Sequence, residues 1–262
     1  MIQLHQRDCL TCLPQIADHS IDAIITDPPY GSTNLKWDTR IDPVAMWLQF
    51  QRVIKPKGAI VVFADFRFAV EMVNAAPKGW FRYDLIWSKS APAGFLNANR
   101  QPLRSHETIL VFASGQTTYH PQMGQGKVYA KKNRAGRASH YGKHRRASIP
   151  PTDKRFPKSI LDVPKPHPSP HPTAKPLDLI SWLVKTYTDP GETVLDPTMG
   201  SGTTGVACVL NQRHFVGIES DPKIYKAAAI RVCQTQYVEN QLKSFPTSQG
   251  QPYATPLESV AR

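Results

Sequence analysis

The sequence predicts an α/β fold, an open and largely parallel sheet with helices on both faces and one basic insertion. Short β-rich runs alternate with amphipathic helical runs, which is typical of a parallel sheet covered on both sides. A proline-rich basic segment interrupts this alternation once. The chain has 262 residues, 40% hydrophobic and 20% charged, as expected for a globular protein. It contains no apolar run near 18 residues and no signal-like start, so we expect a cytoplasmic protein without a membrane segment.

The predicted elements follow in chain order. Short runs rich in β-branched and aromatic residues predict strands at residues 22–26, 59–63, 83–87, 108–112, 193–196 and 214–218. Apolar residues at helical spacing predict helices at residues 43–54, 66–75, 176–187, 203–210 and 222–236. The polar, aperiodic end of the chain predicts a loosely ordered tail.

The insertion carries most of the excess charge. Residues 113–172 hold twelve lysines and arginines against two aspartates, a net charge of +10 within a chain total of +12. Histidines and tyrosines are interleaved with the basic residues, and such a surface suits a polyphosphate such as DNA. The alternative is a solvated insertion that only keeps the protein in solution. The candidate DNA-binding residues are Lys127, Lys131, Lys132, Arg134, Arg137, Lys143, Arg145 and Arg146.

The cysteines do not predict a metal site. Cys9 and Cys12 have C-x-x-C spacing, but no second pair of cysteines or histidines lies near them to complete four ligands. We therefore expect thiols, and no metal.

The first candidate functional loop is Asp27-Pro28-Pro29-Tyr30, directly after a predicted strand. Ligands bind at the carboxyl ends of strands in open α/β sheets. Two prolines stiffen the loop and leave backbone acceptors free. The Asp27 carboxylate and the Pro28 carbonyl could then accept two hydrogens from one planar amine, with the Tyr30 ring beside a flat heterocycle. A proline-rich structural turn is the alternative.

The second candidate loop, residues 196–205, lies between a predicted strand and a predicted helix. Its glycines satisfy G-x-G-x-x-G, and Glu219 follows the next strand, where an acid could bind a ribose diol. In a dinucleotide enzyme the first glycine should follow the strand at once, whereas here Asp196 and three further residues intervene. A carboxylate favours a cationic ligand over a pyrophosphate. S-adenosyl-L-methionine, with its sulfonium and ammonium groups, fits better than NAD.

These stretches together resemble the N-4/N-6 DNA methylase family, in the permuted order of the β class. The resemblance spans residues 4 to about 232, and the joint order of its short motifs is specific. In the family the DPPY tetrapeptide precedes a basic segment and the glycine loop comes last, as here. The matching motifs are Arg7-Asp8-Cys9, residues 21–31, residues 53–61, residues 95–98, residues 104–107, the HPTAKP turn at residues 171–176, the glycine loop and residues 215–219.

The resemblance implies a Rossmann-like, S-adenosylmethionine-dependent fold and a role for each matching residue. The catalytic residues would be Asp27, Pro28, Pro29 and Tyr30. The cofactor-binding residues would be Asp8, Cys9, Asp27, Lys175, Asp196, Thr198, Gly200, Ser201, Gly202, Thr203 and Glu219. It also implies a catalytic half at residues 1–113, a target recognition insertion at 114–170, a cofactor-binding half at 171–236 and a tail at 237–262.

The expected reaction is methyl transfer to the N6 amine of adenine in a base flipped out of double-stranded DNA. Cytosine N4 is the first alternative, because the two amines have similar geometry. An NAD-dependent oxidoreductase, a non-catalytic DNA-binding protein and a methyltransferase acting on RNA or protein are further alternatives. Candidate partners besides DNA are a cognate restriction endonuclease and a second copy of the chain. The hypothesis requires Tyr30 and Gly202 to share one cavity.

Overall fold

A computed structural model describes residues 1–31, 39–131, 149–165 and 174–244 of the chain. The strands in these ranges are β1 Ile2–Gln6, β2 Ile21–Thr26, β3 Ile54–Ala64, β4 Phe81–Ala93, β5 Arg104–Phe112, β6 Gly124–Lys131, β7 Ile149–Arg155, β8 Ile160–Asp162, β9 Thr193–Asp196 and β10 His214–Glu219. The α-helices are α1 Cys9–Cys12, α2 Pro43–Val53, α3 Phe66–Ala75, α4 Leu177–Tyr187, α5 Thr203–Leu210 and α6 Pro222–Ser244.

Eight strands form one sheet in the order β1-β10-β9-β2-β3-β5-β4-β8. The pairs from β1 to β3 are parallel, β5 is antiparallel to both of its neighbours, and β4 pairs with β8 in parallel. Seven strands therefore point the same way, and their carboxyl ends lie at one edge. The reversed strand β5 begins at this edge, so residues after most strands and residues at the start of β5 meet there.

The sheet separates two apolar clusters. Alternate side chains of β3 enter different clusters: Ile60 and Val62 pack with Trp47 of α2, whereas Val61 and Phe63 pack in the cluster that includes helix α4. This period of two places helices on both faces of the sheet, and buried apolar side chains on both faces stabilise it. The predicted α/β architecture is confirmed.

Residues 121–158 form a separate compact unit, while residues 1–120 and 159–262 form the other. Within the smaller unit, β6 and β7 pair antiparallel, and the Arg155 guanidinium lies 4.0 Å from the centroid of the Tyr129 ring. This unit falls inside the predicted insertion at 114–170 but is shorter at both ends. Its role in target recognition stays a prediction.

Several parts of the chain differ from the prediction. Strands β6, β7 and β8 were not predicted, and β3, β4 and β5 extend beyond the predicted runs at residues 59–63, 83–87 and 108–112. Helix α6 continues to Ser244, eight residues beyond the expected end, because no proline or glycine interrupts the chain there; residues 245–262 of the predicted tail lie outside the described ranges. Strand β1 was not predicted, since Ile2 and Leu4 are its only apolar residues. None of the described helices is long and apolar enough to cross a bilayer.

Candidate active site

The two candidate loops lie side by side because their strands are neighbours in the sheet. β2 pairs with β9 in parallel, with Ala23 opposite Val194 and Ile24 opposite Leu195. Beyond these pairs, the hydroxyls of Thr26 and Thr198 are 2.7 Å apart. Both loops therefore leave the same edge of the sheet at the same point.

One cavity of about 860 Å³ connects the two loops. From the first loop it is lined by all four residues of the DPPY tetrapeptide, and from the second by the two neighbours of Gly202. Tyr30 and the loop that holds Gly202 therefore line one cavity, although Gly202 itself is not among the lining residues. The lining residues that sequence analysis singled out are Asp8, Cys9, Asp27, Pro28, Pro29, Tyr30, Lys175, Asp196, Thr198, Gly200, Ser201, Thr203 and Glu219.

The Asp27 carboxylate has a partner on each oxygen. The Tyr30 hydroxyl donates to Oδ1, and the Lys175 ammonium donates to Oδ2. A carboxylate offers about four lone-pair positions, so acceptor positions remain for a substrate. The Tyr30 ring packs against Phe68 with centroids 5.3 Å apart. Burial, and next the Asp27 charge, raise the pKa of the Tyr30 phenol well above its ordinary value, which keeps the hydroxyl a donor.

Lys175 bridges Asp27 to a second carboxylate. Its Nζ lies 3.3 Å from Oε2 of Glu107, and Lys89 Nζ donates to the other oxygen of Glu107 at 3.0 Å. Lys175 and Lys89 have only 10% and 6% of their side chains exposed. Cations and carboxylates therefore alternate in the order Asp27, Lys175, Glu107, Lys89, which we call the charged row. The pairing compensates for burying each charge.

The pKa shifts in the charged row agree with this pairing. Burial alone would lower the pKa of Lys175, but the Asp27 and Glu107 carboxylates raise it above its ordinary value. Burial alone would raise the pKa of Glu107, but Lys175 and Lys89 lower it. Both groups are therefore ionised at neutral pH, and Lys175 holds a fixed positive charge beside Asp27.

In the glycine loop, the Asp196 carboxylate is buried among neutral donors. The Thr204 hydroxyl donates to Oδ2 at 2.7 Å, and the backbone N–H of Thr198 donates to Oδ1 at 3.2 Å. Burial raises the pKa of Asp196 to about 7. Without a ligand this carboxyl is therefore close to half protonated at neutral pH, and a cationic ligand would favour its ionised form.

Gly202 and Gly205 allow helix α5 to begin against its neighbours. Gly202 has φ +74°, and a Cβ there would lie 3.1 Å from Val232 Cγ2 of α6. A Cβ on Gly205 would lie 2.7 Å from the Phe215 ring. Gly202 thus lies on the side of the loop that packs against α6, and it is not among the residues that line the cavity.

Glu219 ends β10 beside the glycine loop. Its Oε2 accepts from the N–H of Gly200 at 3.1 Å and its Oε1 from the N–H of Asp221 at 2.9 Å. These contacts fix the carboxylate at the cavity wall. Asp8 lies two residues after Gln6, the β1 residue that pairs with Glu219. Its side chain caps α1 by accepting from the Thr11 N–H at 3.0 Å. The Cys9 thiol is buried, and burial raises its pKa to about 12, so it is an unreactive wall residue.

The Lys175 ammonium contacts the Asp27 carboxylate and Glu107, and the residue lines the cavity. Its role in binding the cofactor stays a prediction. Sequence analysis assigned no role to Glu107 or Lys89. Glu107 belongs to one of the matching motifs, and that was the only available signal.

Most of the candidate DNA-binding residues lie outside the described part of the chain. Lys127 is an exposed residue of β6, and the backbone of Lys131 ends that strand. Their contact with DNA stays a prediction. The undescribed members are Lys132, Arg134, Arg137, Lys143, Arg145 and Arg146.

Three known proteins are similar to this chain over most of its length. The chain is 29% identical to the type II methyltransferase M.BglII of Bacillus subtilis over 276 aligned positions, which cover 93% of this chain and 71% of the relative. A crystal structure of the M1.HpyAVI complex with S-adenosylmethionine matches with a TM-score of 0.60 and 26% identity, covering 88% of this chain and 100% of that one. The PvuII cytosine-N4-specific DNA methyltransferase shares the fold, with a TM-score of 0.63 and 17% identity over 92% of each chain.

The family model N6_N4_Mtase, described as DNA methylase, matches residues 21–230. This range contains the DPPY loop, the glycine loop, Lys175 and Glu107, and it covers most of the described sheet. The chain therefore belongs to the N6/N4 DNA methylase family.

Proposed function

We propose that this DNA methyltransferase transfers a methyl group from S-adenosyl-L-methionine to the N6 amine of adenine in a flipped-out base. The observation that supports it is the single cavity lined by the Asp27–Tyr30 tetrapeptide on one side and the glycine loop on the other. A group held at Asp27 and a cofactor held at the glycine loop would meet inside this cavity. Proximity of this kind supplies much of the rate enhancement in a two-substrate reaction.

The predicted cofactor, S-adenosyl-L-methionine, is confirmed for the family, and the residues at the cavity wall fit it. Glu219 presents a fixed carboxylate to the ribose hydroxyls, and Asp8 lies at the same end of the cavity. Asp196 offers a carboxyl that ionises readily beside a cation. When bound, the cofactor supplies an electrophilic methyl group on a sulfonium sulfur.

The amine nitrogen of a base is a poor nucleophile because its lone pair is delocalised into the ring. Asp27 and the Pro28 carbonyl would accept its two hydrogens and direct the lone pair at the methyl carbon. Nitrogen then forms a bond to carbon, the carbon–sulfur bond breaks, and the electron pair stays on sulfur. The alkylated nitrogen becomes acidic, and its proton passes to Asp27 or to water. Lys175 holds the carboxylate in place until then.

The preference for adenine rests on the first residue of the tetrapeptide. Asp27 stands where the family's adenine-N6 enzymes more often have Asp and its cytosine-N4 enzymes more often have Ser. Because the amine geometry of both bases is alike, cytosine N4 is the competing substrate.

The test is incubation with tritiated S-adenosylmethionine and unmethylated double-stranded DNA, followed by nucleoside chromatography. Label in N6-methyladenosine is the expected result. Label in N4-methylcytosine would replace the proposed base with the competing one, and an unlabelled DNA fraction would contradict both. An Asp27→Asn sample serves as the control for non-enzymatic transfer.

Three further predictions concern the setting of the enzyme. A restriction endonuclease of the same specificity, a second copy of the chain and a cytoplasmic location all stay predictions. The endonuclease would be tested by challenging the host with unmethylated DNA and measuring whether that DNA is cut. The second copy of the chain would be tested by sedimentation at several protein concentrations. Fractionation of cells would test the third.

A further inference from the structure

The loop between β4 and β5 exposes two large apolar side chains at its tip. Phe95 is 76% exposed and Leu96 is 85% exposed. They are consecutive and lie at the start of a short 3-10 helix, Phe95–Asn97. We call residues 94–103 the apolar loop. Large side chains this exposed generally mark a contact with a partner when they cluster.

The apolar loop begins and ends at the rim of the cavity. Ala93 and Arg104 pair across β4 and β5, and both line the cavity. Phe95 is two residues from Ala93, so its backbone lies within about 7 Å of the rim. The tip of the loop therefore stands beside the opening through which a flipped base would enter.

The backbone holds the tip in a defined shape. Gly94 has φ +88°, a conformation that favours glycine. The N–H of Asn97 donates to the carbonyl of Gly94 at 3.0 Å, and that of Ala98 to the carbonyl of Phe95 at 3.1 Å. The two apolar side chains thus project from a closed turn.

The surroundings of the tip are suited to a nucleic acid. No aspartate or glutamate occurs from Ser90 to His106, whereas Arg100 and Arg104 do, and both arginines are exposed. The residues from Ser90 to His106 are all exposed. An apolar tip flanked by cations matches a base stack flanked by phosphates.

We propose that Phe95 and Leu96 form a wedge that enters the duplex at the target position and occupies the space that the flipped base leaves. The proposal rests on the proposed function. Flipping removes stacking from both neighbours of the target base, and apolar side chains inserted between base steps compensate for that loss. The wedge stacks on the neighbouring bases while the target base reaches Asp27.

The wedge can be tested with two DNA substrates that differ only opposite the target base. One is an ordinary duplex, and in the other the target base faces an abasic site, so that it is already unpaired. Phe95→Ala/Leu96→Ala should slow methylation of the ordinary duplex about tenfold, the loss typical of removing one base–aromatic stack. Methylation of the abasic duplex should stay within about twofold of the wild type, because little flipping energy is needed.

Leu48→Ala is the matched control. Leu48 is 67% exposed on α2, so this substitution removes a similar apolar side chain and leaves the apolar loop unchanged. The Leu48→Ala variant should methylate both substrates at wild-type rates. Equal loss on both substrates, or no loss on either, would overturn the wedge. If the wild type methylates neither substrate, the proposed function fails, and that result is distinct from failure of the wedge.

Fluorescence gives a second readout that does not depend on methyl transfer. A duplex with 2-aminopurine at the target position should brighten when the wild-type protein binds, and brighten much less with the double variant at equal DNA occupancy. If the double variant instead changes sedimentation of the free protein, the loop contacts a second copy of the chain and the wedge is wrong.

Discussion

Two aspartates at the ends of adjacent strands differ in their surroundings and in their chemistry. Asp27 follows β2 and pairs with the Lys175 ammonium, which Glu107 contacts in turn. Asp196 ends β9 and is held by a threonine hydroxyl and a backbone N–H, and burial raises its pKa to about 7. One residue type at one sheet edge thus has a charged partner in one loop and neutral hydrogen-bond donors in the other. The residues around each aspartate, more than its position at the sheet edge, determine its chemistry.

The largest effect should come from replacing the carboxylate of Asp27. Asp27→Asn keeps the shape but presents N–H donors to the amine hydrogens, so kcat should fall about 10²- to 10³-fold, as for loss of one preorganised electrostatic contact. Tritium transfer at saturating DNA measures this. Binding of S-adenosylhomocysteine, followed by calorimetry, would separate this loss from the predicted part of Asp27 in holding the cofactor. A kcat within tenfold of the wild type would remove Asp27 from the reaction.

The next largest effect should come from replacing Lys175, the cation that Asp27 has as a partner and Asp196 does not. Lys175→Met leaves the Asp27 and Glu107 carboxylates facing each other, which should lower stability by about 3 kcal/mol and kcat about 10²-fold through misplacement of Asp27. A proton bound between the carboxylates would relieve the repulsion, so the loss of stability should be greatest at neutral pH and smallest at low pH.

Lys175→Arg is the control, since it keeps the charge. It should recover most of the stability in urea denaturation while kcat recovers less, because the guanidinium differs in shape from an ammonium. Equal stability of the Met variant and the wild type would contradict the pairing described here.

A smaller effect should follow pH in the glycine loop. The raised pKa of Asp196 means that the ligand-free carboxyl binds a proton below about pH 7. A cationic ligand favours the ionised form and must release that proton, so affinity for S-adenosylmethionine should rise about tenfold from pH 6 to pH 8. Calorimetry in buffers of different ionisation enthalpy would detect the proton release.

Asp196→Asn should make that affinity nearly independent of pH. Asp189→Asn, which removes an exposed carboxylate between α4 and β9, should leave the pH dependence unchanged. A wild-type affinity that is flat with pH would show that Asp196 does not face the cationic groups.

The smallest effect should come from changing Gly202, where the glycine loop packs against α6. Gly202→Ala places a methyl group against α6 at positive φ and should lower the free energy of unfolding by about 1–2 kcal/mol. Gly191→Ala is the matched control, because its φ is +84° and its Cβ would have no neighbour within 4 Å. The difference between the two variants measures the contact with α6 alone.

Local patterns predicted the framework of this site well. The bounds of β9 and α5 agree with the sequence prediction because a short buried strand, a glycine-rich turn and an apolar helix follow one another directly. The meeting of the two loops followed from the rule that parallel strands end at a common edge. That rule needs no knowledge of side-chain contacts.

The charged row could not be predicted in the same way. Lys175 and Asp27 are 148 residues apart, and no local pattern indicates which carboxylates a distant lysine will contact. Glu107 reaches the site because β5 is reversed, so that a residue near the start of its strand lies where the other strands end. Reversal of one strand is a property of the whole sheet and leaves no mark in the short run of residues around it.

The pairing of β2 with β9 has a consequence for how the enzyme is made. A ribosome that has produced only the first 190 residues has already released the DPPY tetrapeptide, but its sheet still lacks the two strands that complete the cofactor side. Parallel pairing across so long a stretch of chain is slow to form. The cofactor side of the sheet is therefore complete only after β9 and β10, made late in synthesis, have inserted between β1 and β2.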